Sequence, residues 1–152
     1  MSVPDGPINQ GCPLFDWPVR VYYEDTDAGG VVYHSNYISF MERARTEFLR
    51  RHDILLSEME RDHRVLFAVT ALSVHFRRPA RLDDALDVSV AILKFGAASI
   101  VFRQTIRCHE RLLVEAEVRV AALSADSFRP IAVPSIIEAK LKAYLPPKTA
   151  SD

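Results

Sequence analysis

Residues 24–36, EDTDAGGVVYHSN, combine carboxylates with a break in the backbone just before a predicted helix. Asp25 and Asp27 are candidate nucleophiles or general bases, because an ionised carboxylate can attack a carbonyl carbon or deprotonate a water molecule. Gly29 and Gly30 allow the chain to fold back on itself, since glycine adopts backbone conformations that other residues avoid. An acidic, glycine-rich turn is most often only a solvated connection. A catalytic interpretation therefore depends on the element that comes after the turn.

The chain after this turn is predicted to begin a long helix. If residues 31–35 lead into that helix, the backbone N–H groups near Tyr33, His34 and Ser35 are unpaired donors at the positive end of the helix dipole. Donors at such a position stabilise a developing oxyanion. A carboxylate that folds back beside them completes the minimum set of groups for acyl transfer.

The same stretch begins like a calcium-binding loop, D-x-D-x-x-G, but departs from that pattern further on. Position five of such a loop falls on Gly29, and Asn36 occupies position twelve, where a bidentate glutamate is required. The sequence also has no phosphate loop ending in Gly-Lys-Ser/Thr and no G-x-G-x-x-G fingerprint. Calcium binding, nucleotide hydrolysis and dinucleotide redox chemistry therefore lose their usual sequence support.

Length, charge and cysteine usage narrow the class of protein. The chain has 152 residues, of which 49% are hydrophobic and 26% charged, which suits one globular domain with a core. The net charge of −1 gives no broad cationic surface, so we expect no nucleic-acid partner. The N-terminal region has no continuous apolar run, which predicts a cytoplasmic protein without a signal peptide or transmembrane segment. Cys12 and Cys108 lack a CxxC spacing and are predicted to be free thiols, and no metal site is expected.

One amphipathic helix is predicted to position the candidate site. From Asn36 onwards apolar residues recur at helical spacing over about five turns, with polar residues on the other side. Ser35 or Asn36 is predicted to cap this helix, and Arg43 is predicted to pair with Glu47 one turn later. A shorter helical piece is predicted within residues 53–62. The apolar face of the long helix comprises Tyr37, Phe40, Met41, Ala44 and Phe48.

The remaining elements are predicted to form an antiparallel sheet. A β-prone run covers residues 18–23, and Pro134 is predicted to open a short C-terminal helix. Short turns join the strands in sequence, which favours antiparallel pairing. The fold class is therefore α+β, with the long helix against one face of the sheet and open sheet edges that permit oligomers. The two-residue alternation of half-buried strands occurs at 72–76, 86–92, 100–106 and 113–121.

The density of proline and glycine suggests the domain boundaries. Residues 1–16 are predicted to form a loosely ordered N-terminal arm, because such residues interrupt regular pairing. The domain is predicted to cover residues 17–145, and residues 146–152 form a C-terminal tail.

The chain from RVYYEDTDAGGVVYHSNY to FMERARTEFL resembles the signature of a known enzyme family. It is similar to hotdog-fold acyl-CoA thioesterases of the 4-hydroxybenzoyl-CoA thioesterase type, and most similar to their YbgC-like, Tol-Pal associated branch. The resemblance covers roughly residues 17–145 and continues through FRRPARLDDALDV. It implies an antiparallel sheet wrapped around one long central helix. It also implies a homotetramer, a dimer of dimers, with active sites at the dimer interface.

The resemblance assigns roles to individual residues of the opening stretch. The family's catalytic carboxylate lies three residues before the glycine of a D-x-x-G step, which matches Asp27 and Gly30. Its oxyanion donor, a backbone amide at the start of the central helix, falls on His34. Tyr33 and the His34 side chain match positions that line the thioester pocket, and Asp25 matches a structural position. Whether Asp27 acts as the nucleophile or as the general base stays open.

Four basic residues are candidates for binding the phosphates of coenzyme A. Arg77, Arg78 and Arg81 cluster in FRRPARL, where guanidinium groups could meet phosphate oxygens, although a solvated strand end explains the cluster equally well. Lys94 lies in the LKFGAAS turn, near the region where several relatives hold the nucleotide. Residues 96–98 replace a more basic turn of those relatives.

Other polar and aromatic residues are predicted to have structural roles. Glu42 and Glu47 are more consistent with ion pairs on an exposed helix face than with catalysis. His75 is predicted to point away from the core, and His52, His63 and His109 have no metal-binding spacing. The larger apolar residues are predicted to form the core, with some of them walling an acyl channel: Phe40, Met41, Phe48 and Phe76.

These observations predict hydrolysis of an acyl-CoA thioester to a free acid and CoA, without a cofactor. The alternative from another class is a non-catalytic hotdog protein that binds acyl-CoA or acyl carrier protein. A hotdog dehydratase normally requires a catalytic histidine paired with a helix glutamate, and the Asp27-to-Gly30 step argues against it.

Overall fold

The computed structural model of the chain describes residues 14–147. Cys12 and most of the predicted arm and tail lie outside the described residues. The strands and helices in chain order are β1 (Phe15–Arg20), α1 (His34–Arg51), α2 (Leu56–His63), β2 (Val65–Phe76), β3 (Ala85–Phe95), β4 (Ser99–Cys108), β5 (Arg111–Ser124) and α3 (Ser135–Leu141), with 3-10 turns at Tyr23–Asp25 and Lys142–Tyr144.

The five strands form one antiparallel sheet in the order β1-β3-β4-β5-β2. α1 packs principally against β3, β1 and β4. Its predicted apolar face is buried, because residues three and four apart lie on one side of a helix: Tyr37, Phe40, Met41, Ala44 and Phe48 are all at most 4% exposed. The predicted α+β arrangement of an antiparallel sheet and one long helix is confirmed.

The beginning of α1 differs from the prediction. The helix begins at His34 with Tyr33 as its N-cap residue, and no side chain caps it. Ser35 and Asn36, the predicted caps, lie inside the first turn. They cannot cap there because a cap residue needs a non-helical backbone before the first turn. Glu47 pairs with Arg50 at 3.3 Å, in place of the predicted partner Arg43.

The boundaries of two strands also differ from the prediction. β1 begins at Phe15, so it includes two residues that composition assigned to the arm, and it ends at Arg20. Pro18 is tolerated because β1 is an edge strand, where a missing N–H breaks no ladder bond on the outer side. β2 is longer than predicted, and a bulge between Val69 and Ala71 interrupts its alternation, which hides the strand from a two-residue pattern.

Three smaller predictions concern a thiol, a histidine and membrane spans. Cys108 is a free, half-buried thiol. His75 is exposed, as its position in the alternating strand predicts. Within residues 14–147, no helix has the length and apolar character that crossing a membrane requires.

Candidate active site

Residues 26–32 fold into a small hairpin immediately before α1. Thr26 pairs with Val32 as an antiparallel bridge, and the Asp27 N–H donates to the Val31 carbonyl at 2.9 Å. The Gly30 N–H donates to the Asp27 carbonyl at 3.0 Å, which closes a tight turn. Gly30 has a φ of 80°, the left-handed conformation that ends a three-residue hairpin loop.

The Asp27 side chain lies over this turn. Its Oδ1 accepts the Gly29 N–H at 2.8 Å, and a Cβ added to Gly29 would lie 3.2 Å from the same oxygen. Asp27 is exposed in the single chain. The carboxylate is therefore oriented by the backbone of the turn and stays accessible to a ligand.

The hairpin is hydrogen-bonded to the first turn of α1. The Asp25 carbonyl accepts the Tyr33 N–H and the Asn36 Nδ2, both at 2.9 Å. The Asp25 carboxylate accepts the Tyr22 N–H at 2.8 Å, so Asp25 shapes the chain before the hairpin. This contact supports the structural role that the resemblance implies for Asp25, which stays a prediction.

The hairpin is also held by the connection between β2 and β3. The Val32 N–H donates to the Ala80 carbonyl at 2.9 Å, and Val31 forms a bridge with Arg81. The Ala80 N–H donates to the buried Tyr37 hydroxyl at 2.9 Å. Three segments that are distant in sequence therefore meet at the N-terminus of α1.

The pKa of the Tyr37 hydroxyl shows that the Asp27 carboxylate lies close to the beginning of α1. Burial raises the pKa of the Tyr37 hydroxyl, and the negative charges of Asp27 and Asp84 raise it further, while the bond from Ala80 opposes both. Tyr37 lies one turn into α1. The charge of Asp27 therefore acts on the beginning of the helix.

Two amides of the first helical turn stay available. The Tyr33 N–H bonds to the Asp25 carbonyl and the Asn36 N–H to the Tyr33 carbonyl, so these donors are satisfied. The amides of His34 and Ser35 have no acceptor among residues 14–147. They lie at the positive end of the helix dipole, where an anionic oxygen is stabilised. The predicted donor set is thus reduced to His34 and Ser35.

The chain matches the family model described as "Thioesterase-like superfamily" over residues 21–141, which include the hairpin, α1 and strands β2 to β5. The chain belongs to this thioesterase-like superfamily. It is 48% identical over 130 residues to the acyl-CoA thioester hydrolase YbgC of Escherichia coli O6:H1, covering 85% of this chain and 96% of that protein. It is 40% identical to the acyl-CoA thioesterase YbgC of Haemophilus influenzae, covering 82% of this chain and 92% of that protein. These similarities place the chain on the YbgC-like branch and show that it is a thioesterase.

The fold has also been solved in other thioesterases. Slr0204 from Synechocystis, a 1,4-dihydroxy-2-naphthoyl-CoA thioesterase, superposes with a TM-score of 0.80 over 86% of this chain and 96% of that chain. The two sequences are 21% identical, so this similarity supports the fold alone. The hotdog fold predicted for this thioesterase is confirmed.

Aromatic rings surround the first turn of α1 in this thioesterase. The ring of His34 lies 4.6 Å from that of Tyr33 and 6.4 Å from that of Phe76, measured between centroids. Phe76 also contacts Tyr37, at 5.7 Å between centroids. Phe76 is 50% exposed, so its predicted role as a core residue is wrong. It ends edge strand β2, where no further strand covers it. No local sequence pattern marks this residue, because the place of β2 at the edge of the sheet depends on the whole fold.

The four basic candidates do not form one cluster. Arg77 binds Glu115 through its guanidinium, and Arg78 donates to the Leu112 carbonyl at 2.9 Å. The Arg81 guanidinium has no partner within the described part of the chain, and its backbone adjoins the hairpin. Lys94 lies nine residues along β3 from the strand's first residue, about 30 Å from the hairpin end of the sheet.

No group of three or more His, Cys, Asp or Glu side chains in residues 14–147 is arranged to hold a metal ion. The candidate site therefore consists of the Asp27 carboxylate, the two free amides of α1, the aromatic rings beside them and the Arg81 guanidinium.

Proposed function

We propose that this thioesterase hydrolyses acyl-CoA thioesters, with Asp27 as the nucleophile or general base and the His34 backbone amide as the oxyanion donor. One observation carries the proposal. The hairpin that presents the Asp27 carboxylate is hydrogen-bonded through Asp25 to Tyr33, directly beside the free His34 amide. A negative group and a positive dipole end therefore lie on one rigid unit, as attack on a carbonyl requires.

The reaction begins with the thioester carbonyl oxygen at the His34 amide. In one route the Asp27 carboxylate attacks the carbonyl carbon, the C–S bond breaks, CoA leaves as a thiolate, and water hydrolyses the mixed anhydride. In the other route Asp27 accepts a proton from a water molecule that attacks the same carbon, and the C–S bond then breaks so that CoA leaves as a thiolate. Both routes need an ionised Asp27 and negative charge stabilised on the carbonyl oxygen. The thiolate is a good leaving group, so the sulfur needs no strong general acid.

The other residues of the hairpin and helix start position the substrate. The rings of Tyr33 and His34 wall the thioester, and Gly30 gives the turn the backbone conformation that presents Asp27. Phe76 extends this aromatic wall towards β2. These contacts exclude water from one side of the acyl carbon.

We assign the phosphates of CoA first to Arg81. Its guanidinium is free to form bidentate bonds with phosphate oxygens, and its backbone bridge to Val31 fixes it beside the hairpin. Arg77 and Arg78 contribute less, because each already binds an acceptor within the chain. Lys94 is too far along β3 to act at the same phosphate of the same chain.

We also propose that the protein is a homotetramer, a dimer of dimers, with its sites at the dimer interface. The Arg77 N–H bonds to the Leu113 carbonyl, so the amides of Leu72, Val74 and Phe76 point away from β5. The β2 edge is therefore open to pair with a second chain. Asp27 is exposed in one chain, so a second chain would enclose it.

The Asp27→Asn variant tests the catalytic assignment. Asparagine keeps an oxygen that accepts the Gly29 N–H, so the hairpin should fold unchanged, but it carries no negative charge. We expect turnover of acyl-CoA, measured as release of free thiol, to fall at least 100-fold, while circular dichroism and melting temperature stay at wild-type values.

Asp27→Ala is the matched control, because it removes both the charge and the turn-forming bond. Equal loss of turnover in the two variants assigns the effect to the charge. An Asn variant with nearly full turnover would refute the catalytic role of Asp27.

One observation favours a second function, non-catalytic binding of acyl-CoA or acyl carrier protein. The Asp27 carboxylate already has a structural partner in the Gly29 N–H, as in many turns without catalysis. A panel of acyl-CoA and acyl-carrier-protein thioesters separates the two functions. Binding without thiol release would establish the second one.

A further inference from the structure

One backbone carbonyl joins the hairpin to two positions of the first turn of α1. The Asp25 carbonyl accepts the Tyr33 N–H and the Asn36 Nδ2, both at 2.9 Å. A carbonyl oxygen has two lone pairs, and both are used here. Only the NH2 end of a carboxamide can donate to a carbonyl, which fixes the orientation of the Asn36 side chain. In the sequence, the two donors lie on either side of the free amides of His34 and Ser35.

The beginning of α1 is held without a conventional cap. In a capping box, the N-cap side chain accepts the N–H of the third helical residue, whose side chain in turn accepts the N-cap N–H. The N-cap residue of α1 is Tyr33, and it provides no side-chain bond. The Asp25 carbonyl accepts the N-cap N–H instead, and Asn36, the third helical residue, donates to the same oxygen. The first turn is therefore attached to the hairpin while the amides of His34 and Ser35 stay available.

The backbone and the surroundings of Asn36 keep its side chain in this position. The Asn36 N–H donates to the Tyr33 carbonyl at 2.8 Å, and the residue is half-buried. Side chains of a helix tilt towards its N-terminus, so the carboxamide reaches back over the first turn to the hairpin. An aspartate of the same shape would place an acceptor opposite the Asp25 carbonyl oxygen. The contact therefore requires the amide donor of asparagine.

The same carbonyl lies two residues before the candidate catalytic acid, Asp27. Between them, Thr26 pairs with Val32 as an antiparallel bridge, so this part of the chain belongs to the hairpin. A shift of the Asp25 carbonyl relative to α1 would therefore carry the Asp27 carboxylate with it. The gap between that carboxylate and the His34 amide depends on how firmly the Asp25 carbonyl is held.

We propose that Asn36 is a positioning residue for thioester hydrolysis, which acts through the Asp25 carbonyl to set the gap between the Asp27 carboxylate and the His34 amide. The inference rests on the proposed function. Attack on the acyl carbon and stabilisation of its oxygen both depend on this gap, and a misplacement of about 1 Å can lower a rate by about 100-fold. Binding of CoA in the ground state does not depend on it, so loss of the contact should lower kcat rather than affinity.

Asn36→Ala in the full chain tests the proposal. We expect kcat for thiol release from a short-chain acyl-CoA to fall at least about tenfold. The Kd of the matching S-alkyl-CoA thioether has to stay within about twofold of the wild-type value by calorimetry, because this compound has no carbonyl oxygen and is not hydrolysed. Ser39→Ala is the matched control and should keep both values. Ser39 is half-buried one turn later on α1, and its side chain makes no hydrogen bond within residues 14–147.

Asn36→Asp is the second variant, because it keeps the size and shape of the side chain. Its negative charge suits the positive end of the helix dipole, so α1 should still form. The variant has an oxygen in place of the donor, and we again expect kcat to fall at least about tenfold. Ser39→Asp places the same charge one turn later and should keep kcat near the wild-type value, which separates loss of the donor from the added charge. Wild-type kcat in Asn36→Asp would overturn the proposal.

The outcomes separate this inference from the hydrolytic proposal. Thiol release by the wild type together with unchanged kcat in Asn36→Ala would overturn the role of Asn36 and leave hydrolysis standing. No thiol release by the wild type from any acyl-CoA would overturn both. Loss of thioether affinity in proportion to kcat would show that Asn36 only maintains the fold, and the inference would again be wrong. Lower kcat at unchanged thioether affinity in both Asn36 variants supports it.

Discussion

At the scale of single residues, positions 29 and 30 of the hairpin are occupied by glycine for different physical reasons. Gly30 has a positive φ, but no atom lies within 4 Å of the position that a Cβ would occupy. Gly29 has no such backbone requirement, and a Cβ there would lie 3.2 Å from the Asp27 carboxylate. Gly30 is therefore needed for the backbone conformation of the hairpin, and Gly29 leaves room for the orientation of the Asp27 carboxylate.

Alanine substitutions should separate these two roles. Gly30→Ala is expected to reduce the free energy of unfolding by about 1–2 kcal/mol, because an L-residue is strained in the left-handed region. Gly30→Asn should cost less, since asparagine tolerates that region. Gly29→Ala is expected to change stability little and to lower thiol release, because the carboxylate must shift. Urea titration and a thioesterase assay measure the two effects. A larger stability loss in Gly29→Ala than in Gly30→Ala would contradict this assignment.

At the scale of elements, a single phenol joins α1 to the β2–β3 connection. The Tyr37 hydroxyl accepts the Ala80 N–H, and the neighbouring residues of that connection hold the hairpin. The Asp27 carboxylate is thus positioned by hydrogen bonds from both the helix side and the sheet side. Loss of this link should affect stability and the site together.

Tyr37→Phe tests this link. Removal of the hydroxyl leaves a buried Ala80 N–H without an acceptor, which we expect to reduce the free energy of unfolding by about 1–3 kcal/mol in urea titrations. Tyr23→Phe is the matched control, because Tyr23 is 81% exposed. Equal stability of the two variants would show that the link contributes nothing.

The C-terminal end of α1 has a pH-sensitive contact. His52 Nε2 lies 3.0 Å from the Tyr144 hydroxyl. Burial lowers the pKa of His52, and the charges of Arg51 and Lys140 lower it further. The folded state therefore favours neutral His52. Its stabilising contribution is present above about pH 6.5, the value for an unfolded histidine, and is lost as the pH falls through the lower folded pKa.

His52→Gln should therefore weaken the pH dependence of stability. We expect its free energy of unfolding to decline less than that of the wild type between about pH 7.5 and about pH 5, as measured by urea titration at each pH. The exposed His63→Gln is the control and should behave like the wild type. A His52→Gln curve parallel to the wild type would contradict the stated coupling.

At the scale of the whole molecule, the candidate site is open on one side. Asp27, Gly30, Tyr33 and His34 are all exposed in the single chain, and the β2 edge beside them is unpaired. Such a site has too few walls to exclude water from an acyl intermediate. An interface along β2 would supply the missing wall and satisfy the edge amides.

Dilution tests the role of the interface without a mutation. We expect light scattering to give about 69 kDa, four times the 17.2 kDa chain. Thiol release per chain should fall at concentrations where the mass drops to that of one chain. Full activity of a 17.2 kDa species would contradict a site at the interface.

The elements that depend on local periodicity were predictable from the sequence. The apolar spacing in α1 and the alternation in β5 each identify a buried face without reference to the rest of the molecule. The boundaries were less predictable. The first turn of α1 has no side-chain cap, so no residue type marks His34 as the start.

The candidate site likewise contains some residues whose proximity was predictable from the sequence and others whose proximity was not. The proximity of Asp27, Gly30 and His34 was predictable, because the three residues lie close together in the sequence, in a turn and at the beginning of the helix that follows it. Arg81 and Phe76 join them only because the β2–β3 connection returns to the hairpin, which local patterns do not encode.

By itself, the sequence determined the fold class, the apolar faces and the turn that carries the acid, because each depends on residues within a few positions of one another. Only the tertiary structure decided which arginine stays free and which phenylalanine faces the site. The physical reason is that the exposure and the partner of a side chain depend on elements that arrive from distant parts of the chain. Which of those elements contact one another is decided by the folded molecule as a whole.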